Sequence, residues 1–152
     1  MPTIGRRLQL TLHELEKWCD CNGFKFSTTK TVGVHFCNRR ALHLDPELTL
    51  NKTPVPFVQE TKFLGVIFDK KLTFIPHLKY VWTKCNQSLN ILKVVSHLEW
   101  GVYYKTLRTL YRTLIRPQLD FGCIVFGSAR RSYIKKLDPI QNYALVLSGH
   151  HR

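Results

Sequence analysis

The sequence predicts an α+β fold in two parts: a small antiparallel sheet with one packed helix over residues 1–73, then an all-α helical bundle over 74–152. Three observations carry this reading. Apolar residues at three- and four-residue steps mark a helix at the start of the chain, and short runs of alternating β-branched and aromatic residues follow it. After Thr73 the helical period returns and persists. The charge changes at the same border. Residues 1–69 carry nine Lys/Arg against seven Asp/Glu, whereas residues 70–152 carry fourteen against three. Nearly all of the formal net charge of +13 therefore sits in the helical part, the layout of a protein that holds a polyanion.

Each element has a local cause. From Arg6 to about Cys21, Leu8, Leu12, Leu15 and Trp18 recur at helical spacing, and Asn22-Gly23 supplies a left-handed stop. Thr31 to Phe36 reads as a strand, with Val32, Val34 and Phe36 on one side. A loop follows from Asn38 through Glu47. Leu48 to Asn51 is a short strand, Asn51-Lys52-Thr53-Pro54 turns the chain, and Val55 to Val58 extends again. Phe63 to Phe68 is rich in aromatic and aliphatic residues and reads as one continuous strand.

In the second part, Pro76 suits the first turn of a helix that runs to about His97. Its stripe is Leu78, Val81, Trp82, Cys85, Leu89 and Leu92. Glu99-Trp100-Gly101 breaks the chain. A second helix spans about Val102 to Arg116 and buries Leu107, Leu110, Tyr111, Leu114 and Ile115, until Pro117 interrupts it. Leu119 to Phe126 is apolar enough for a short buried helix. A last helix covers about Ala129 to Leu147, in which Pro139 either introduces a kink or opens a second segment capped by Asp138.

A chain of 152 residues with 44% apolar content can bury a core without staples. Five cysteines at irregular spacing, with no secretory signal, predict reduced thiols in an intracellular protein of cytoplasm or nucleus. No apolar run is long enough for a membrane span, and no membrane partner is expected.

The strongest constellation is a row of cations. Lys105, Arg108, Arg112 and Arg116 follow steps of three, four and four, which on an ideal helix places them within about an 80° arc, roughly opposite Leu107, Leu110 and Leu114. Such a row can follow a phosphate backbone. It can also be the solvated face of an ordinary helix. The scarcity of acids nearby, only Glu99 and Asp120, favours the first reading. Lys79, Lys84 and Lys93 decorate the preceding helix, and Arg130, Arg131, Lys135 and Lys136 open the last one. Tyr103, Tyr104 and Tyr133 suit either stacking on bases or the edge of a core.

Other chemistries find little support. Cys19-x-Cys21 with His35-x-Cys37 is not a zinc spacing. There is no nucleophile elbow or Gly-rich phosphate loop, and the aspartates are scattered singly, whereas two-metal phosphoryl transfer needs clustered carboxylates. No catalytic residue and no metal ligand is assigned.

Three blocks, in order, carry a family resemblance. The first is a helix ending in Trp18-Cys19 with Asn22-Gly23-Phe24-Lys25-Phe26-Ser27-Thr28-Thr29-Lys30-Thr31. The second is Lys62-Phe63-Leu64-Gly65-Val66 with Asp69-Lys70-Lys71-Leu72-Thr73-Phe74 and His77. The third runs from Leu110-Tyr111-Arg112 through Leu119-Asp120-Phe121-Gly122 to Leu137-Asp138-Pro139-Ile140-Gln141-Asn142. The series resembles the reverse transcriptase of non-LTR retrotransposons, in particular the jockey-like LINE elements of arthropods.

The resemblance implies a distal palm over 1–73 and a basic thumb-like bundle over 74–152. It implies that Lys30 lies near the phosphates of an incoming nucleotide. It makes Phe63, Leu64 and Gly65 a primer-grip-like hairpin, and it places Lys79, Lys105, Arg108, Arg112 and Arg116 on a thumb-like surface for a template–primer duplex of RNA or DNA. The catalytic aspartates of the family lie upstream of these blocks, and this chain departs from the usual continuation after Leu145. The expectation is a polymerase piece, inactive alone, with no cofactor and no small-molecule substrate of its own; Mg²⁺ belongs only to the complete polymerase. A stand-alone, sequence-independent nucleic-acid-binding module and a translated relic without function remain the alternatives.

Overall fold

Helix α1 spans Pro2–Cys21, four residues earlier than the apolar spacing indicates. Its end is the expected glycine stop: Gly23 has φ +73°, and the Phe24 amide donates to the Cys19 carbonyl at 2.9 Å. In this computed structural model residues 2–37, 44–96 and 103–147 are described. The proposed break at Glu99-Trp100-Gly101, and much of the loop from Asn38, lie outside them. The α+β class holds, and two small two-stranded sheets stand where one was expected.

The chain divides into two units, Met1–Lys62 with Asp69–Leu72, and Phe63–Phe68 with Thr73–Arg152. In the first, β1 (Thr49–Leu50) pairs antiparallel with β2 (Thr53–Pro54). Asn51 and Lys52 both take positive φ, the pattern of a primed two-residue hairpin turn. Helix α1 meets β1 through polar groups. The Gln9 side-chain amide pairs with the Thr49 backbone in both directions, donating at 2.9 Å and accepting at 2.8 Å. Glu16 accepts the Asn51 amide, which with His13 holds its carboxyl below the ordinary value.

Two-residue strands offer little area to an apolar helix face. Leu8, Leu15 and Trp18 consequently stay exposed, and Trp18 stacks on Phe24 with centroids 5.8 Å apart. Cys19 and Leu50 are the buried apolar residues among those described in this unit.

The expected strand at Thr31–Phe36 does not form. Only an isolated parallel bridge joins Gly33 to Phe57, through Gly33 N–H to the Pro56 carbonyl and Val58 N–H to the Gly33 carbonyl. Pro54 and Pro56 remove two donors from the facing segment, so a ladder cannot propagate. The continuous strand expected at Phe63–Phe68 is also replaced. β3 (Glu60–Phe63) and β4 (Val66–Asp69) form a hairpin about Leu64 and Gly65, both at positive φ. A hairpin thus stands where residue composition suggested one strand.

In the second unit, α2 (Ile75–Ser96) opens with Thr73 Oγ1 accepting the Ile75 amide and Pro76 in the first turn. It buries His77, Leu78, Val81, Cys85, Ser88, Leu89 and Leu92. Trp82, assigned to that stripe, lies at its edge and is 48% exposed. The next helical stretch is α3 (Tyr104–Leu110), a π segment (Tyr111–Ile115) and α4 (Arg116–Asp120).

Pro117 therefore does not end the helix. Its ring would crowd the carbonyl four residues back, and the π turn before it, closed by Arg116 N–H to the Tyr111 carbonyl, relieves that conflict. Leu107, Tyr111 and Ile115 are buried as expected, with Leu110 and Leu114 half-buried.

After a turn at Gly122 (φ +73°), α5 (Cys123–Phe126) buries only Phe126. Ile124 is 93% exposed, contrary to the expected buried helix over 119–126. One turn of helix cannot turn all its apolar residues toward a core. The last stretch divides into α6 (Arg131–Ile134) and α7 (Asp138–Leu147), so Pro139 opens a second segment and Asp138 is its first helical residue.

All five cysteines are free thiols. Cys85 is fully buried, and burial pushes its thiol from 9.0 up to about 11. Ionisation is thus easier in the unfolded chain, and the stability present below pH 9.0 is lost as pH rises toward about 11. Urea midpoints are expected to fall between pH about 9 and about 11, and to fall less in a Cys85→Ala variant. In the native protein the exposed Cys21 and Cys123 should alkylate first and Cys85 last.

Candidate nucleic-acid interface

The cation row lies along the α3–π–α4 stretch, and the structure changes its shape. Lys105 and Arg112 are exposed, and no ion partner is seen for either among the described residues. Arg108 is half-buried, with its Nε shielded from solvent. Arg116 donates from Nε to the Asp120 carboxylate at 3.2 Å. The row thus contains an i,i+4 ion pair, which the sequence reading did not anticipate. Both partners are more than 60% exposed, so the pair contributes little stability.

The π segment also moves Arg116 off the line. A π turn closes to the fifth residue, so a four-residue step no longer completes a turn and the row bends at its end. Beneath it, burial raises the Tyr111 hydroxyl above its ordinary value, with Arg116 opposing and Asp120 adding to the shift.

The hairpin tip belongs to the same unit. Phe63 and Leu64 are 62% and 79% exposed. At Gly65 (φ +86°) a Cβ would lie 2.8 Å from the Phe121 ring, so this site needs glycine for both its backbone and its space. Behind the hairpin, the buried ring of His77 accepts the Ile67 amide on Nδ1 at 3.3 Å and packs against Phe126 with centroids 5.2 Å apart. This tether links β4 to α2, and the sequence showed it only as one histidine in a block.

Lys79 stands apart from the cation row. It lines a cleft with Trp82, Tyr133 and Lys136. Trp82 was missed because helical spacing alone placed it in the core stripe. Lys30 belongs to the first unit, exposed on a turn in which its amide donates to the Ser27 carbonyl at 3.2 Å.

Carboxylates are dispersed. Asp45 accepts from Lys70 Nζ at 3.3 Å and bonds His35 Nδ1 at 3.1 Å; burial works against ionisation there, but these two partners outweigh it and lower the carboxyl. No group of three or more His, Cys, Asp or Glu suited to a metal is found among the described residues. Asp45 is held by Lys70 and His35 and Asp120 by Arg116, and a donor set dispersed in this way does not fit a two-metal centre. No described helix is long and apolar enough to cross a membrane.

The fold and its surface thus define a small α+β chain with a basic helical face and no assembled carboxylate centre among the described residues. In sequence it is distantly homologous to RNA-directed DNA polymerases of jockey-like, non-LTR retrotransposons. It is 26% identical over 141 residues, 93% of the chain, to the probable RNA-directed DNA polymerase from transposon BS of Drosophila melanogaster. It is 26% identical over 144 residues, 90% of the chain, to that from transposon X-element of the same species. For the RNA-directed DNA polymerase from mobile element jockey the match is again 26%, over 140 residues and 88% of the chain. The chain spans only 14–16% of the length of these relatives. No protein-family model matches it, and no solved structure does.

Proposed function

We propose that this chain is the distal palm and thumb of a retrotransposon RNA-directed DNA polymerase, which grips a template–primer duplex and does not polymerise alone. The observation that carries the reading is the similarity to transposon polymerases along 88–93% of the chain. Three features support it. The cations concentrate in the helical unit, where Lys105 and Arg112 are exposed. Two apolar side chains, Phe63 and Leu64, project at the tip of the β3–β4 hairpin, as a contact to a primer end would require. The apolar stripe of α1 stays uncovered, as in a helix that packs on further sheet.

Within this reading Lys30 lies near nucleotide phosphates, and Lys79 and the row from Lys105 to Arg116 contact the nucleic-acid backbone. Mg²⁺ acts at carboxylates supplied from outside this chain.

Binding should be largely independent of sequence and steeply salt-dependent, because each neutralised phosphate releases counterions. The test is a salt titration of duplex binding by the wild-type chain and a Lys105→Ala/Arg112→Ala/Arg116→Ala variant. Arg108 is spared because it is half-buried. The slope of log Kobs against log salt should flatten by about 2 to 3 in the variant. Unchanged affinity and slope would remove the row from the interface. Primer extension by the purified chain should give no product, and robust synthesis would sink the claim of inactivity.

A further inference from the structure

A cleft of about 400 Å³ opens in the second unit between α2 and the α6–α7 stretch. Buried Leu78 and Leu137 form its floor, and Trp82 and Tyr133 stand at its sides. Exposed Lys79 and Lys136 also line it, and no carboxylate does among the described residues. Its volume lies within the range of about 300–1,000 Å³ typical of small-molecule sites.

The two rings differ in availability. Lys136 Nζ already sits over the Tyr133 ring, 4.9 Å from its centroid. Trp82 is 48% exposed, and no cation lies over it among the described residues. The indole is therefore the face open to a ligand. The same side of the unit continues in kind, because Lys93, further along α2, sits 4.9 Å over the ring of Tyr143 on α7. Lys79 and Lys93 are separated by about 20 Å along the helix axis, a length that several nucleotides span.

An apolar floor, an open indole and paired cations without acids match a planar aromatic group carrying negative charge on either side. We propose that this cleft takes an unpaired base of a single-stranded nucleic acid, stacked on Trp82, with the flanking phosphates on Lys79 and Lys136. The proposal rests on the reading that the chain binds nucleic acid; it adds a site for single strands centred on Trp82, apart from the Lys105–Arg116 row, and shares Lys79 with the proposed gripping surface. Stacking on an aromatic side chain tolerates any base, because every base has a π-face. The cleft should therefore prefer unpaired strands without preferring a sequence.

The experiment compares a fluorescein-labelled oligothymidylate with a blunt duplex by fluorescence anisotropy. Trp82→Ala should weaken oligothymidylate binding roughly 5- to 100-fold and leave duplex binding unchanged, while Trp82→Phe keeps most of the affinity. Lys79→Ala/Lys136→Ala should flatten the single-strand salt slope by about 1 to 1.5. Trp82 is half-exposed, so these variants should melt as the wild type does, and Trp82→Phe separates loss of stacking from loss of fold. Single-strand affinity that is unchanged in Trp82→Ala overturns the proposal and leaves the cleft to an apolar protein side chain. If the row variant alone loses affinity, the cleft site fails while the gripping function stands. If the wild-type chain binds neither probe, both fail.

Discussion

His77→Ala is expected to destabilise the chain by about 3–5 kcal/mol. Two losses combine. The ring is 1% exposed and packs against Phe126, so its removal opens a cavity in the core of the second unit. Its Nδ1 also accepts the Ile67 amide, which the variant leaves part-buried without that acceptor. His77→Phe separates the terms. It keeps most of the volume and loses the acceptor of the Ile67 amide, so about 1–3 kcal/mol should remain. Urea denaturation at neutral pH measures both, provided the slopes stay equal. A His77→Ala variant within about 1 kcal/mol of wild type would show that β4 is not tethered to α2 in this way.

Ile115→Ala and Ile124→Ala should differ sharply. Ile115 is 1% exposed at the end of the π segment, and its truncation should cost about 2–5 kcal/mol. Ile124, 93% exposed, should change stability by no more than about 0.5 kcal/mol. The pair tests the register of the whole stretch from Tyr111 to Phe126. If the helix ended at Pro117 and residues 119–126 packed as a buried helix, Ile124→Ala would be the costly substitution. Equal costs would refute the burial described above.

These contrasts show where sequence reasoning succeeds. Long periodic segments were legible: the buried stripe of α2, from Leu78 to Leu92, follows from spacing except at Trp82 and the buried polar Ser88, and so do Leu107, Tyr111 and Ile115. A 22-residue helix repeats its signal over six turns, so one misplaced residue does not obscure it. The Gly23 stop was legible because few residues tolerate its backbone conformation. Short strands carry no such redundancy. Thr31–Phe36 has the composition of a strand, but the facing segment carries Pro54 and Pro56 and bonds it only at the single bridge around Gly33.

For the candidate interface, the basic character was visible in composition, while the availability of each cation was not. Arg116 pairs with Asp120 and Arg108 sinks to half-burial, so the evenly spaced row reduces to two exposed cations and one ion-paired arginine. Trp82 and Lys136 are 54 positions apart in the chain and share a cleft only because α2 packs against the α6–α7 stretch.

By itself the sequence determined the α+β class, the long helices, the charge step after residue 69 and the relationship to transposon polymerases, all of which depend on patterns local in the chain or summed over it. Tertiary structure alone decided which apolar residues the core accepts, which cations remain open, and that Pro117 is absorbed by a π turn. Those outcomes depend on which surfaces meet, and burial and pairing are properties of contacts between segments that no local spacing encodes.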